Sequence, residues 1–317
     1  MDFDLEMDPE DALLAKALNK ISQSSFVADY DPTQSEDADR PLIHVSESDW
    51  ESVEEWSRTR EDLLVGPLVY NIEVANRLMN KRLWLRTLEM DGIMYLFRVY
   101  TSLDRFPHPR VGFMTCNFSV TVGAAYKQFL MNKRRYQVDQ LLIKYGLGAL
   151  PAHGRTDKIW GVDVDRIYTP VNVKNNHWIS LCINFELRTV EVFDCDGGKH
   201  SRYVDAFANI IPRVVKKVQS YKEKKQLVIK PYTVKYVPMR PGINRSSCDC
   251  GVYALKFIEC HMLGLQLSLL NDDNIYAARM KITYDLWKAA HDPILIERMR
   301  KYVPPKTVCS DDIVDLL

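Results

Sequence analysis

Residues 175–194 read NNHWISLCINFELRTVEVFD: two apolar runs, Trp178 to Phe185 and Thr189 to Phe193, joined by a turn at Leu187-Arg188. Short apolar runs bounded by turn residues predict strands, and two this close predict a hairpin. In a hairpin, His177 and Asp194, 17 residues apart, arrive at the same end of the sheet. A carboxylate beside an imidazole fixes its tautomer and stabilises its charged form. The pair becomes chemically useful if a nucleophile stands next to it.

Such a nucleophile is offered by Asp249-Cys250-Gly251, which opens a segment carrying Val252, Ala254, Leu255, Phe257, Ile258 and Met262 before Gly264. Apolar on nearly every side, this segment predicts a buried helix, with Asp249 as its N-cap and Gly264 as its stop. A thiol at a helix N-terminus is pushed toward thiolate by the helix dipole and free N–H groups. The bland alternative, a small buried hydrophobe, applies to any single cysteine. It explains the joint arrangement of His177, Asp194 and Cys250 poorly.

The rest of the chain sets the frame. Its formal charge is zero, but residues 1–60 hold 16 acidic and 5 basic side chains, leaving 26 acidic and 37 basic in residues 61–317. The acidic start, rich in Asp, Glu and Ser with one apolar stretch from Leu13 to Ile21, predicts a solvated tail and no stable fold before about residue 60. No apolar run reaches the roughly 18 residues that span a bilayer, and the N-terminus lacks a signal peptide's basic region, so the expected location is intracellular. Seven scattered cysteines fit a reducing compartment.

Trp84–Tyr100 and Ala125–Ile143 read as helices on the outside of one main domain, and Ile167-Tyr168 as a strand. After the break at Gly197-Gly198, residues from Phe207 to Val218 return to helical spacing, with Pro212 predicting a kink or a late start. Tyr232–Val237 reads as a strand, and a last helix from Asp272 or Asp273 to Ala290. Cys248, Cys250, Cys260 and His261 match no common zinc spacing. The run Lys216, Lys217, Lys222, Lys224 and Lys225 reads as a solvated helix face, with no need of nucleic acid.

Five motifs in order, Trp84-Leu85 leading into Met94-Tyr95-Leu96-Phe97, Val164 to Asn172, His177-Trp178, Val192-Phe193-Asp194 and Asp249 to Tyr253, resemble the ubiquitin-like-protein-specific protease family, most of all its divergent plant members associated with transposable elements. The resemblance implies an α+β, papain-like fold with a central mixed sheet and the nucleophile at the N-terminus of a buried helix. It places a catalytic domain at 61–291, between the acidic tail 1–60 and a C-terminal tail 292–317. It also implies cysteine-type peptidase activity after the C-terminal Gly-Gly of a ubiquitin-like modifier, free or conjugated, in the cell and particularly the nucleus. Cys250, His177 and Asp194 are then the catalytic residues, and Trp84 and Trp178 line a narrow tunnel for the glycine tail. No metal, organic cofactor or membrane is called for.

One residue departs from the family pattern. Six positions before the nucleophile, where a glutamine usually supplies an amide to the oxyanion, this chain has Asn244. Two other readings therefore stay open: a weak or inactive modifier-binding module of the same fold, and a cysteine acyltransferase.

Overall fold

The computed structural model describes residues 38–103 and 108–302. It opens with helices α1 (Arg40–Ile43) and α2 (Glu47–Thr59), a hairpin of β1 (Leu63–Val65) and β2 (Leu68–Tyr70), then α3 (Ile72–Met79) and α4 (Thr87–Ser102). Strand β3 (Val111–Phe113) leads to α5 (Cys116–Met131) and α6 (Gln140–Gly146), followed by β4 (Arg166–Val173), β5 (His177–Asn184) and β6 (Thr189–Phe193). Helices α7 (Ser201–Val218) and α8 (Tyr221–Gln226), strand β7 (Thr233–Tyr236), and helices α9 (Cys250–Leu263), α10 (Ile275–Ala290) and α11 (Pro293–Arg300) complete it.

The main sheet has the order β3-β4-β5-β6-β7. Its central pairs β4·β5 and β5·β6 are antiparallel and its outer pairs are parallel, so it is mixed. The period-2 alternation of β5 sorts its side chains: Trp178 and Cys182 join a core with α4, α9 and α10, while Ile179, Leu181 and Ile183 join a second core with α5 and α7. Both faces are thus covered, which is why β5 is buried along its whole length. The hairpin of residues 177–194 is present, with Ser180 opposite Phe193.

Several expectations need correction. Helix α4 is central, with buried residues from Glu89 to Thr101. Its polar residues look solvent-facing in sequence but find internal partners, with Arg98 Nη2 left without a hydrogen bond. Glu89 pairs with Arg77 at 2.9 Å, and Arg98 donates to Phe113 O at 3.0 Å and His153 O at 2.6 Å. The expected helix 125–143 is two helices, parted between Asn132, which closes α5, and Asp139, which caps α6. Helix α7 runs through Pro212 from Ser201. The carbonyl of Ala208, which Pro212 cannot serve, accepts the Tyr232 N–H at 2.9 Å instead.

Packing also extends past the expected boundaries. Leu42, Val53 and Trp56 are buried, and Trp56 stacks on Tyr70 with ring centroids 4.9 Å apart. At the other end Asp292 caps α11, accepting from Ile294 N at 2.8 Å, and Leu295 is buried. What the sequence predicts for residues 1–37 and for the segment beyond Pro304-Pro305 lies outside the described residues. Among the described residues no helix is long and apolar enough to cross a membrane.

Candidate active site

His177 is the first residue of β5 and Cys250 the first of α9, and this helix packs directly on this strand. Both elements therefore start at one end of the sheet, where Asp194 leaves β6. The far end of α9 is tied down as well, by a 2.6 Å bond between His261 Nδ1 and the Tyr168 hydroxyl.

His177 Nε2 lies 2.7 Å from Asp194 Oδ1. Burial alone lifts the Asp194 carboxyl, but hydrogen bonds from His177 and the Asp196 N–H, with the nearby His177 and His200, outweigh it and hold it below its ordinary value. An ionised carboxylate can only accept, so Nε2 carries the proton. That leaves Nδ1 for the other side, where Asp196 Oδ2 stands 3.7 Å away and the Cys250 thiol lies near enough to act on the ring's charge. Burial depresses the imidazole, yet the bonds and charges of Asp194 and Cys250 prevail and raise it to about 10. Such a histidine favours the imidazolium, the state that pairs with a thiolate.

Asp194 has a second imidazole on its other oxygen, overlooked in the sequence reading: His200 Nε2 is 3.0 Å from Oδ2. The Gly198 N–H also donates to Oδ2 at 3.0 Å. A Cβ at 198 would sit 3.0 Å from His200 Nε2 and 3.4 Å from Oδ2, so glycine is what lets the backbone approach. The signal was available in Gly197-Gly198-Lys199-His200, which reads at first only as a break.

Asn244 is 8% exposed and left-handed at φ 61°. Its Oδ1 accepts the Asp249 N–H at 3.0 Å, which fixes which end of the amide faces the loop and leaves Nδ2 without a partner among the described residues. The loop itself hangs on Asp272, which accepts from Asn244 N at 2.7 Å, Arg245 N at 3.0 Å, Arg245 Nε at 2.8 Å and the Tyr253 hydroxyl at 2.7 Å. Burial opposes the charge of Asp272, but these donors bring it down to about 2. Asp272 is thus no helix start, and α10 begins only at Ile275.

Asp249 likewise makes no side-chain cap for α9. Its carboxylate is claimed by Arg279 Nε and Ser246 Oγ, each at 2.5 Å. Cys248 turns the other way, its thiol donating to Arg82 O at 3.4 Å, so of the two neighbouring cysteines it is Cys250 that acts on the imidazole's charge.

Trp178 is buried and donates from Nε1 to Leu85 O at 2.9 Å. A Cβ on Gly251 would meet Leu85 Cβ at 3.0 Å and Trp178 Cδ1 at 3.3 Å, so these residues wall the start of α9. Trp84, beside Leu85, is 36% exposed. The structure brings Trp178 against the start of α9 and leaves Trp84 partly exposed.

His177, Asp194 and His200 offer possible metal-ligand atoms within 4.8 Å of one another, as do Cys182, Glu191 and His261. A cation in the first group would compete with the bond between His177 and Asp194.

A thiol at a helix N-terminus, facing an imidazole held by a carboxylate beside a mixed sheet, defines a cysteine peptidase of the papain-like class. The model of the Ulp1 protease family, C-terminal catalytic domain, matches residues 83–294, and the chain belongs to that family. Among solved structures it is similar to the Ulp1-like SUMO protease catalytic domain of Chaetomium thermophilum, at 17% identity over 78% of this chain and 91% of that one, with a TM-score of 0.55. It is also similar to the SUMO protease Ulp1 with its catalytic cysteine oxidised to a sulfinic acid, at 17% identity, 78% and 98% coverage and a TM-score of 0.51. Comparison with curated sequences finds no match.

Proposed function

We propose that this cysteine peptidase cleaves after the C-terminal glycine of a SUMO-like modifier, maturing its precursor or releasing it from lysine. The observation that carries this reading is His177, bonded to Asp194 through one ring nitrogen at the end of the sheet where Cys250 opens the helix packed on its strand. Cys250 attacks the scissile carbonyl, and His177 gives its proton to the leaving amine. The imidazole then activates the water that frees the modifier, and Asp194 holds the ring throughout. The Asn244 amide and the Cys250 N–H stabilise the oxyanion. Trp84 and Trp178 confine the substrate's tail. Cys250 is 1% exposed, so a tail of glycines, which brings no side chain, suits the approach best. The solved structures it is similar to are those of SUMO proteases, which supports the modifier class. The six cysteines among the described residues are all free thiols, which fits an intracellular setting, of which we favour the nucleus.

Asn244 decides between a working enzyme and a binding module. Asn244→Ala should lower kcat about 10²- to 10³-fold with little change in KM, the usual cost of one oxyanion donor. Asn244→Gln should bring no large gain. A gain of about 100-fold in steady-state turnover would instead mean that the native amide does not reach, and would favour the inactive module.

The raised pKa of His177 predicts an unusual pH profile. The productive state needs the imidazolium, so activity is retained while His177 is protonated and is lost as pH rises through about 10. Asp194→Asn removes a main raising influence, and the alkaline limb of kcat/KM should move down by about 1–3 units. An unmoved limb would show that Asp194 does not set the charge of His177.

A further inference from the structure

The catalytic site leaves most of the chain's positive charge unexplained. Residues 127–144 carry five basic side chains against Asp139, and residues 199–230 carry nine against Asp205 and Glu223. Their net charges, +4 and +7, equal the whole excess of residues 61–317, so the remainder of that region is balanced. The fold joins the two segments. Arg213 lies 4.1 Å and Lys133 5.9 Å from the same Phe129 ring, and a Cβ on Gly146 of α6 would touch Val214 and Val218 of α7 at 2.9 Å.

Two of the three acids of this face, Asp139 and Glu223, are occupied as caps. Asp139 accepts Leu141 N at 2.7 Å, and Glu223 closes a capping box with Ser220. Among the described residues, Lys133, Arg134, Arg135, Lys217, Lys222 and Lys225 make no ion pair. Apolar side chains stand among them: Met131 is 86% exposed, Leu130 50% and Leu141 47%. Such a surface asks for a partner that is both acidic and apolar.

The chain itself contains one. Residues 1–37 hold ten acidic side chains against Lys16 and Lys20, with Phe3, Leu5 and Met7 set between Asp2, Asp4, Glu6 and Asp8, and Leu13, Leu14, Leu18 and Ile21 beyond. We propose that this N-terminal segment docks in cis on the basic face formed by α5 to α8. A nucleic acid would match the charge but leave Met131 and Leu130 uncovered; the acidic, apolar segment matches both. The length allows the reach around the sheet, since residues 1–37 fully extended could span at most about 120–130 Å. Tethering also makes the encounter intramolecular, at an effective concentration on the order of millimolar.

The test uses the full chain with a photo-reactive benzophenone amino acid in place of Met131. Irradiation at low protein concentration should give cross-links from position 131 to residues 1–37 within single chains. Their yield should fall several-fold at about 1 M salt, where the screening length shrinks to about 3 Å. It should fall equally in a Lys133→Glu, Arg134→Glu, Arg135→Glu variant. The same probe at Leu64, exposed on the β1–β2 hairpin, should capture far less. No cross-link to residues 1–37, equal capture from position 64, cross-links between chains, or capture of nucleic acid or another protein at position 131 would each overturn the proposal.

Discussion

Replacing Arg279 with methionine is expected to lower the unfolding free energy by about 3–5 kcal/mol, the usual cost of leaving one charge of a buried pair alone. The Arg279 side chain is fully buried. Its guanidinium donates to Asp249 Oδ1 and to three carbonyls, Leu78 O at 2.9 Å, Leu83 O at 3.0 Å and Cys248 O at 3.0 Å. Methionine fills much of the space but offers none of these donors, so the Asp249 carboxylate keeps only Ser246 and the carbonyls lose their partner. A denaturant titration should show a lower midpoint at unchanged slope. A midpoint shift worth less than about 0.5 kcal/mol would mean that water or a local rearrangement replaces the guanidinium. Activity should suffer beyond the loss of folded protein, because this one side chain ties the segment leading to Trp84 to the loop that presents Cys250.

Removing the Cys250 thiol or the His177 ring should each lower kcat by about 10⁴-fold or more, and removing both should cost little beyond either alone. In the proposed mechanism the two groups form one device: without the imidazole the thiol loses its proton acceptor, and without the thiol the imidazole has nothing to activate. Modifier binding should survive in Cys250→Ala, since sulfur contributes little to ground-state contact. Single-turnover kinetics on the two single variants and the double variant check this. Independent, multiplying losses would show that His177 acts elsewhere in the reaction.

The parts of this account legible in the sequence are those fixed by local pattern. The hairpin from His177 to Asp194 is written in two apolar runs and one turn, and the helix of Cys250 in an unbroken apolar surface ending at Gly264. What was not legible depends on contacts between distant segments. Arg279 and Asp272 look like ordinary charges near or on a helix, yet each organises the loop before Cys250 from about 30 residues away in sequence. Asp249 reads as a cap because nothing nearby announces that Arg279 will take its carboxylate. Pro212 reads as a break because its remedy, the Tyr232 N–H on Ala208 O, comes from another element. Helix α2 reads as part of an acidic tail because its core contribution rests on two buried residues, Val53 and Trp56, among many charges. His200 was missed for another reason: its bond to Asp194 depends on a tight Gly198 turn, which a hydrophobic pattern does not register.

The central claim is that Cys250 is the nucleophile of a peptidase specific for a ubiquitin-like modifier. Its most direct test is to incubate the full chain with SUMO and other ubiquitin-like modifiers carrying a C-terminal thiol-reactive warhead, beside a Cys250→Ser control. The account predicts a covalent adduct with a SUMO-like modifier, mapped to Cys250 and absent from the control. No adduct with any modifier from folded protein, or an adduct that persists in the control, would contradict it.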